Sequence, residues 1–167
     1  MRPSLNNAQR TASLAALGGL LLSIGLCVYL ADRVPGHAML LPPWPHLGGG
    51  ALFGVLGQWL PSFVHPFAFS LLTAAALAPR PKPRYGACAA WCAVNAAFEF
   101  GQLTQIAAWI DAVLHTSHLP PALTRPLADY FLRGRFDVGD LAALALGSLA
   151  AAAVLQLLKE PEADDAH

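Results

Sequence analysis

Two long apolar stretches near the ends of the chain dominate its hydrophobic pattern. Residues 12–31 contain no Asp, Glu, Lys or Arg, and 138–158 are rich in alanine and leucine. A helix needs about 20 mostly apolar residues to cross ~30 Å of hydrocarbon, so each stretch predicts one membrane span. A cleaved signal peptide is the alternative for the first, but its apolar core is long for one. In the last stretch Gly139, Gly147, Ser148 and the alanine run 150–153 favour close helix packing.

The stretch 47–78 needs a different interpretation, because 32 residues without Asp, Glu, Lys or Arg are too many for one upright helix and too few for two. Its first half, 47–60, contains five glycines, and each weakens a helix by up to ~1 kcal/mol. Pro61 suits a helix start, where its missing N–H costs nothing. We therefore predict the second span at 61–78 and an interfacial or re-entrant segment at 47–60, with Trp44 and Trp59 at the headgroup level.

The remaining pattern completes a four-span arrangement. A third span is predicted at 85–106, with 110 as the alternative end, and a polar loop with room for a short helix follows at 111–137. Arg80, Lys82 and Arg84 lie between the second and third spans, and such basic clusters stay on the cytoplasmic side. Both termini then lie in the cytoplasm, as a segment 1–11 and a tail 159–167 around one membrane domain, 12–158.

Composition agrees with this pattern and excludes other classes of protein. Hydrophobic residues make up 56% of the 167 residues, and charged residues make up 12%, about half the share of ~25% found in soluble domains. The formal net charge of zero leaves no basic footprint for a nucleic acid. We predict an all-α, integral membrane four-helix bundle with both termini inside.

Glu99 is the residue that a purely apolar third span does not explain, since a charge inside a span costs at least ~2.5–3.5 kcal/mol. On a helix, Cys88, Cys92, Asn95, Glu99 and Gln102 fall within an arc of about 80°. Lipid cannot satisfy such a stripe, so we expect it to face the bundle interior or a wet cavity. The stripe indicates a functional site, and interhelical hydrogen bonding alone is the alternative.

Other polar residues are expected at the same outer end of the bundle. His65 opens the second span, where either a hydrogen bond to Glu99 or a purely interfacial role suits a histidine. Asp137 suits the N-cap of the last span, and Asp140 is expected to pair with an arginine of the preceding loop. The predicted site contains His65, Asn95, Glu99, Gln102, Arg133, Arg135, Asp137 and Asp140.

Some of these residues resemble the motif of the VanZ-like family of small four-helix bacterial membrane proteins. That family has the pattern E-x-x-Q in its third helix, which Glu99 and Gln102 match, and then an arginine. An aspartate with glycine seven residues later opens its last helix, which Asp140 and Gly147 match. His65 stands where the family has a histidine at the start of its second helix.

The chain also departs from the family pattern. Pro61 and Ser62 stand where the family often has Asp-Lys, and Leu144 stands where it often has asparagine. The spacing from arginine to aspartate is shifted, so Arg133 and Arg135 both match that position. The resemblance implies a multi-pass protein of the bacterial inner membrane, in a family whose biochemical activity is unassigned.

Four functions fit this sequence. The first is an envelope protein that binds a polar small molecule or lipid headgroup in an outward-facing pocket, with membrane lipids as its partners. The second is an intramembrane enzyme on a lipid-linked substrate, with Glu99 or His65 as general base. The third is a structural or accessory subunit, and a proton-coupled carrier is a weaker fourth possibility because no internal repeat is evident. No catalytic, nucleotide, haem, flavin or metal motif is present, so we predict no cofactor and no metal.

Overall fold

The computed structural model describes residues 6–32, 52–77 and 83–158. These ranges form helices and turns and contain no strand, which confirms the predicted all-α class. Three of the helices have the length and apolarity of membrane spans, namely α1, α2 and α6. The helices are α1 (Asn7–Asp32), α2 (Leu56–Ala76), α3 (Pro83–Gly101), α4 (Thr104–Thr116), α5 (Pro121–Arg133) and α6 (Val138–Leu157).

Helix α2 lies at the centre of the bundle. It packs most extensively against α1 and α6, and it also contacts α3, which packs in turn against α6. One apolar cluster joins Leu14 and Cys88, near the beginnings of α1 and α3, with Leu71 and Leu155, near the ends of α2 and α6. Helices α2 and α6 therefore run in the same direction, and α1 and α3 run in the opposite direction.

Small residues bring these helices into close contact. A Cβ atom added at Gly147 of α6 would collide with the carbonyl oxygen of Phe63 in α2. One added at Gly139 would lie 2.5 Å from Nε1 of Trp59, and one at Gly18 of α1 would lie 2.9 Å from Cγ of Leu72. The predicted close packing of the last helix is confirmed, since glycine lets the backbones approach where a side chain would separate them.

Helix α2 begins at Leu56, so the predicted start at residue 61 is wrong. The carboxylate of Asp32, at the end of α1, accepts the backbone N–H groups of Leu52 and Phe53 at 2.6 and 2.9 Å. Gly54 then turns the chain with φ of 54°, a left-handed conformation that suits glycine. Because this tertiary contact orders the chain ahead of Pro61, the helix begins before Pro61 and includes Gly57. Residues 47–51 lie outside the described part.

Helix α3 ends at Gly101, so the predicted third span at 85–106 is too long. The ring of Phe131 from α5 occupies the space that a Cβ at Gly101 would take, and Leu103 is extended before α4 begins. The predicted polar loop at 111–137 contains the end of α4 and all of α5. After Gly101 the chain therefore forms a hairpin of α4 and α5, because Phe131 of α5 packs against the end of α3.

We predict that Gly147→Ala lowers the stability of the protein and that Gly86→Ala does not. The new methyl group at residue 147 has to displace the backbone of α2, which costs about 1–3 kcal/mol. The same change at Gly86 meets open space. Thermal denaturation in one detergent, followed by far-UV circular dichroism, measures both, and equal melting temperatures would contradict this packing.

Candidate functional site

The polar end of the bundle is the end where α1 and α3 finish and where α2 and α6 begin, and Glu99 lies in its interior. The Glu99 side chain is 7% exposed, and its Oε1 accepts the backbone N–H of Asp137 at 2.6 Å. Asp137 is the N-cap of α6, and its own carboxylate accepts the N–H of Gly139 at 2.7 Å. Both carboxylates use backbone donors at the start of α6, where N–H groups have no partner within the helix. The predicted N-cap role of Asp137 is confirmed.

Asp140, in the first turn of α6, is bound by a serine. Its Oδ1 accepts the hydroxyl of Ser62 from α2 at 2.6 Å, in a partly buried position. The predicted pairing of Asp140 with an arginine is wrong. Arg133 instead lies 3.4 Å from Asp129 of its own helix, with 70% of its side chain exposed, and Arg135 is exposed as well. The neighbouring helix α2 therefore supplies the donor to Asp140.

Gln102 connects the end of α3 to α5. Its Nε2 donates a hydrogen bond to the hydroxyl of Tyr130 at 3.2 Å. Its side chain also lies over Gly134, where a Cβ would come within 2.5 Å of Cδ of Gln102. Burial raises the pKa of the Tyr130 phenol, and the Glu99 and Asp140 carboxylates add to that increase. Tyr130 is therefore neutral at physiological pH and is placed near the carboxylates with its proton retained.

His65 does not bind Glu99 in the described part of the chain. Its ring centroid lies 6.2 Å from that of Tyr29 and 6.0 Å from that of Phe69, and the ring is half-buried between them. Of the two roles considered for His65, the hydrogen bond to Glu99 is not formed, because the two neighbouring rings hold the imidazole within an aromatic stack. The interfacial role, the other alternative for His65, stays a prediction.

The polar stripe on α3 turns toward the bundle, as expected. Cys88 and Glu99 are buried and Cys92, Asn95 and Gln102 are half-buried, whereas Val94 and Phe98 on other faces are exposed. Asn95 serves its own helix, since its Nδ2 donates to the carbonyl oxygen of Trp91 at 2.7 Å. The stripe therefore places its only carboxylate, Glu99, against the start of α6.

Besides Asp32, which binds the N–H groups of Leu52 and Phe53, three carboxylates lie together at the polar end. Asp137 and Asp140 both act electrostatically on Glu99, while Arg133 and Arg135, in the described part of the chain, are exposed and outside the cluster. Within the described residues, the Asp137 N–H is the one protein hydrogen bond to the Glu99 carboxylate. No group of three or more His, Cys, Asp or Glu residues in those ranges is arranged to hold a metal ion. The cluster of Glu99, Asp137 and Asp140 therefore suits a hydrogen-bond donor or a positive charge rather than an anion.

Sequence reasoning missed Asp32, Ser62 and Tyr130 as polar contacts of this end. Ser62 binds a residue 78 positions later in the chain, so only the packing of α2 on α6 identifies its partner. Tyr130 had a weak signal, because it lies in the segment that precedes the last span. Asp32 had a stronger signal, as an acidic residue directly after the apolar stretch 12–31.

No protein-family model, curated protein or solved structure matches this chain. The resemblance to the VanZ-like family therefore stays a prediction based on its motif residues. The structure brings Glu99 and Asp140 to one end and places Gln102 at the same end. Arg133 and Arg135, the two matches to the family's arginine, do not join them.

We predict that Ser62→Ala lowers the free energy of unfolding by about 1.5 kcal/mol, since the Asp140 carboxylate loses its donor. Ser23→Ala is the matched control, because the exposed Ser23 hydroxyl binds only the carbonyl oxygen of Gly19 in its own helix. Melting temperatures of the two variants in the same detergent measure the difference. A Ser62 variant as stable as the Ser23 variant would show that the hydroxyl contributes nothing to the contact between α2 and α6.

Proposed function

We propose that this chain is a four-span protein of the bacterial inner membrane with both termini in the cytoplasm. This proposal rests on the observation that α2 and α6 begin at the same end of the bundle. The chain therefore has to cross back to that end after α2 and before α6. Helix α3 makes that return while packed against both. Its 19 residues rise about 28 Å, close to the thickness of the hydrocarbon layer. Its lower apolarity follows from the polar stripe that it turns inward.

The basic cluster of Arg80, Lys82 and Arg84 supports the orientation. In the sequence, Arg80 and Lys82 follow the end of α2 and Arg84 is in the first turn of α3, and both of these helix ends lie opposite the polar end. Under the positive-inside rule that cluster stays in the cytoplasm, and the polar end then faces the outside.

We predict that Lys82→Cys and His115→Cys are labelled from opposite sides of the membrane. Both are introduced singly into a variant whose Cys27, Cys88 and Cys92 are replaced by alanine. In intact spheroplasts an impermeant maleimide reacts with residue 115 and reaches residue 82 only after permeabilisation. Labelling of both from the same side would contradict a membrane-spanning α3, and the reverse pattern would contradict the orientation.

For the activity, we propose that the polar end binds a group that carries an ammonium or other strong hydrogen-bond donor. The buried Glu99 carboxylate, with one protein donor and two further carboxylates beside it, carries this proposal. Among the described residues no cation is paired with Glu99, and a buried negative charge without a matching cation is costly, so a bound donor would stabilise the arrangement. The position at the outer end of the spans suits the amine of a phospholipid headgroup, and a free amine of the envelope shares this chemistry.

Membership of the VanZ-like family, and with it a place in the cell envelope, is part of this proposal. What supports it is that Glu99, Gln102 and Asp140 lie at one end of the bundle. The exposed positions of Arg133 and Arg135 give no support to an anion contact, so the ligand that we propose is cationic or donor-rich.

We predict that Glu99→Gln abolishes a preference for ethanolamine headgroups. Wild-type protein in nanodiscs of phosphatidylethanolamine is expected to melt higher than in nanodiscs of phosphatidylcholine with the same acyl chains, because the quaternary headgroup has no N–H donor. The difference is expected to vanish in Glu99→Gln. It is expected to persist in Asp129→Asn, where an exposed carboxylate outside the cluster is neutralised.

Additional arms of this experiment identify the source of the amine and test the proposal. Ethanolamine added to phosphatidylcholine nanodiscs stabilises the wild type if a free amine is bound, and has no effect if the whole lipid is required. A Glu99→Gln variant that keeps the wild-type difference would overturn the binding site.

A structural or accessory subunit is the second candidate, favoured by hydrogen bonds that join separate helices. Ser62 of α2 binds Asp140 of α6, and Glu99 of α3 binds the start of α6. Nε1 of Trp91 in α3 donates to the hydroxyl of Thr73 in α2 at 2.9 Å. If the polar residues serve assembly alone, Glu99→Gln lowers the melting temperature equally in both kinds of nanodisc, and the wild type has no headgroup preference.

A further inference from the structure

One side of α4 is apolar and exposed. Ile106, Trp109 and Val113 follow each other at intervals of three and four residues, so their side chains lie within an arc of about 60°. Trp109 is the most exposed of the three, at 65%. We call these three residues the α4 stripe.

The other sides of α4 differ from the stripe. Ala107, on the side that faces the rest of the protein, is buried. Asp111 and His115 lie roughly opposite the stripe, with Nδ1 of His115 3.1 Å from Oδ1 of Asp111 and 74% of the His115 side chain exposed. Helix α4 is thus amphipathic with no charged residue in its stripe, as in helices that lie in a membrane interface.

The connection to α3 places the stripe at a defined level. Helix α4 begins at Thr104, three residues after α3 ends at Gly101, and α3 ends at the polar end of the bundle. That end also contains the start of α2 and of α6, two helices with the length and apolarity of membrane spans. The start of α4 therefore lies at the level where those spans leave the hydrocarbon.

We propose that α4 lies in the headgroup region of the bilayer at the polar end and inserts the α4 stripe into lipid. Tryptophan prefers this region because its ring is apolar and its N–H is polar. The membrane covers the stripe by continuity with the spanning helices, without a partner protein. The proposal requires that α2 and α6 span the membrane, and it is independent of the ligand at Glu99.

This placement has a consequence for the polar end. Helix α4 packs against α5, and α5 holds Tyr130 against Gln102 near the carboxylates. Lipid contact along α4 would therefore also position α5, and with it Tyr130, beside the cluster of Glu99, Asp137 and Asp140. A second copy of the chain or another protein on the stripe are the competing occupants, and the experiment distinguishes them.

Spin labels at single cysteines test the proposal. The labels replace Trp109 and Val113 in the stripe and, as a matched control, His115 on the opposite side of α4, in nanodiscs and in the variant without native cysteines. We expect the ratio of oxygen to nickel-chelate collisions to be several-fold higher at 109 and 113 than at 115, because oxygen concentrates in lipid and the chelate stays in water.

Two outcomes would overturn the proposal. A nickel accessibility at 109 and 113 equal to that at 115 would mean that water covers the stripe. Low collision rates with both reagents would mean that protein covers it, and repeating the measurement at several protein-to-nanodisc ratios would then identify a second copy. All three substituted residues are exposed, and size-exclusion chromatography verifies that each variant is folded and monodisperse.

Brominated lipids give a second readout without any cysteine substitution. Trp109 should be quenched when bromine is carried near the headgroup end of the acyl chains. Trp109→Phe should remove that quenched component from the total fluorescence and leave the signals of Trp44, Trp59 and Trp91. A quenched fraction unchanged by Trp109→Phe would contradict insertion of the stripe.

Discussion

The hydrogen bond from the Asp137 N–H to the Glu99 carboxylate is the contact on which the polar end depends. A carboxylate near the end of an apolar helix cannot face hydrocarbon, and the start of another helix offers backbone N–H groups with no partner of their own. One hydrogen bond satisfies both the carboxylate and the N–H group, and it holds the end of α3 against the start of α6. The bond from Ser62 to Asp140 then holds the start of α2 at the same place.

Glycine decides how closely α2 and α6 approach along the rest of their length. Phe63 lies against Gly147 and Trp59 lies against Gly139, so no side chain of α6 separates it from α2 at these two positions. Between helices in a membrane the hydrophobic effect is weak, and packing of this kind with a few interhelical hydrogen bonds supplies the attraction. The close contact along α6 and the polar contacts at its start therefore fix the same relative direction of α2 and α6.

The hairpin of α4 and α5 determines what surrounds the carboxylates. Phe131 packs on Gly101 and Gln102 binds Tyr130, so α5 is held by the end of α3. The result is an acidic cluster next to a neutral phenol, with Arg133 turned toward solvent. In the membrane orientation that we propose, this acidic surface suits the ammonium group of a lipid headgroup, and the α4 stripe suits the lipid beside it.

Local pattern determined the all-helical class, the last helix at 138–157, the inward face of α3 and the capping role of Asp137, because each depends on residues one or two turns apart. The start of α2, the break after Gly101 and the partner of Asp140 were mispredicted. Asp32 orders Leu52 and Phe53 from the preceding helix, Phe131 reaches Gly101 from a later one, and Ser62 meets Asp140 across the bundle. These contacts join residues about 20 to 80 positions apart, and propensity, which is local, contains no information about them. Only the packing of the helices decided which polar groups became neighbours.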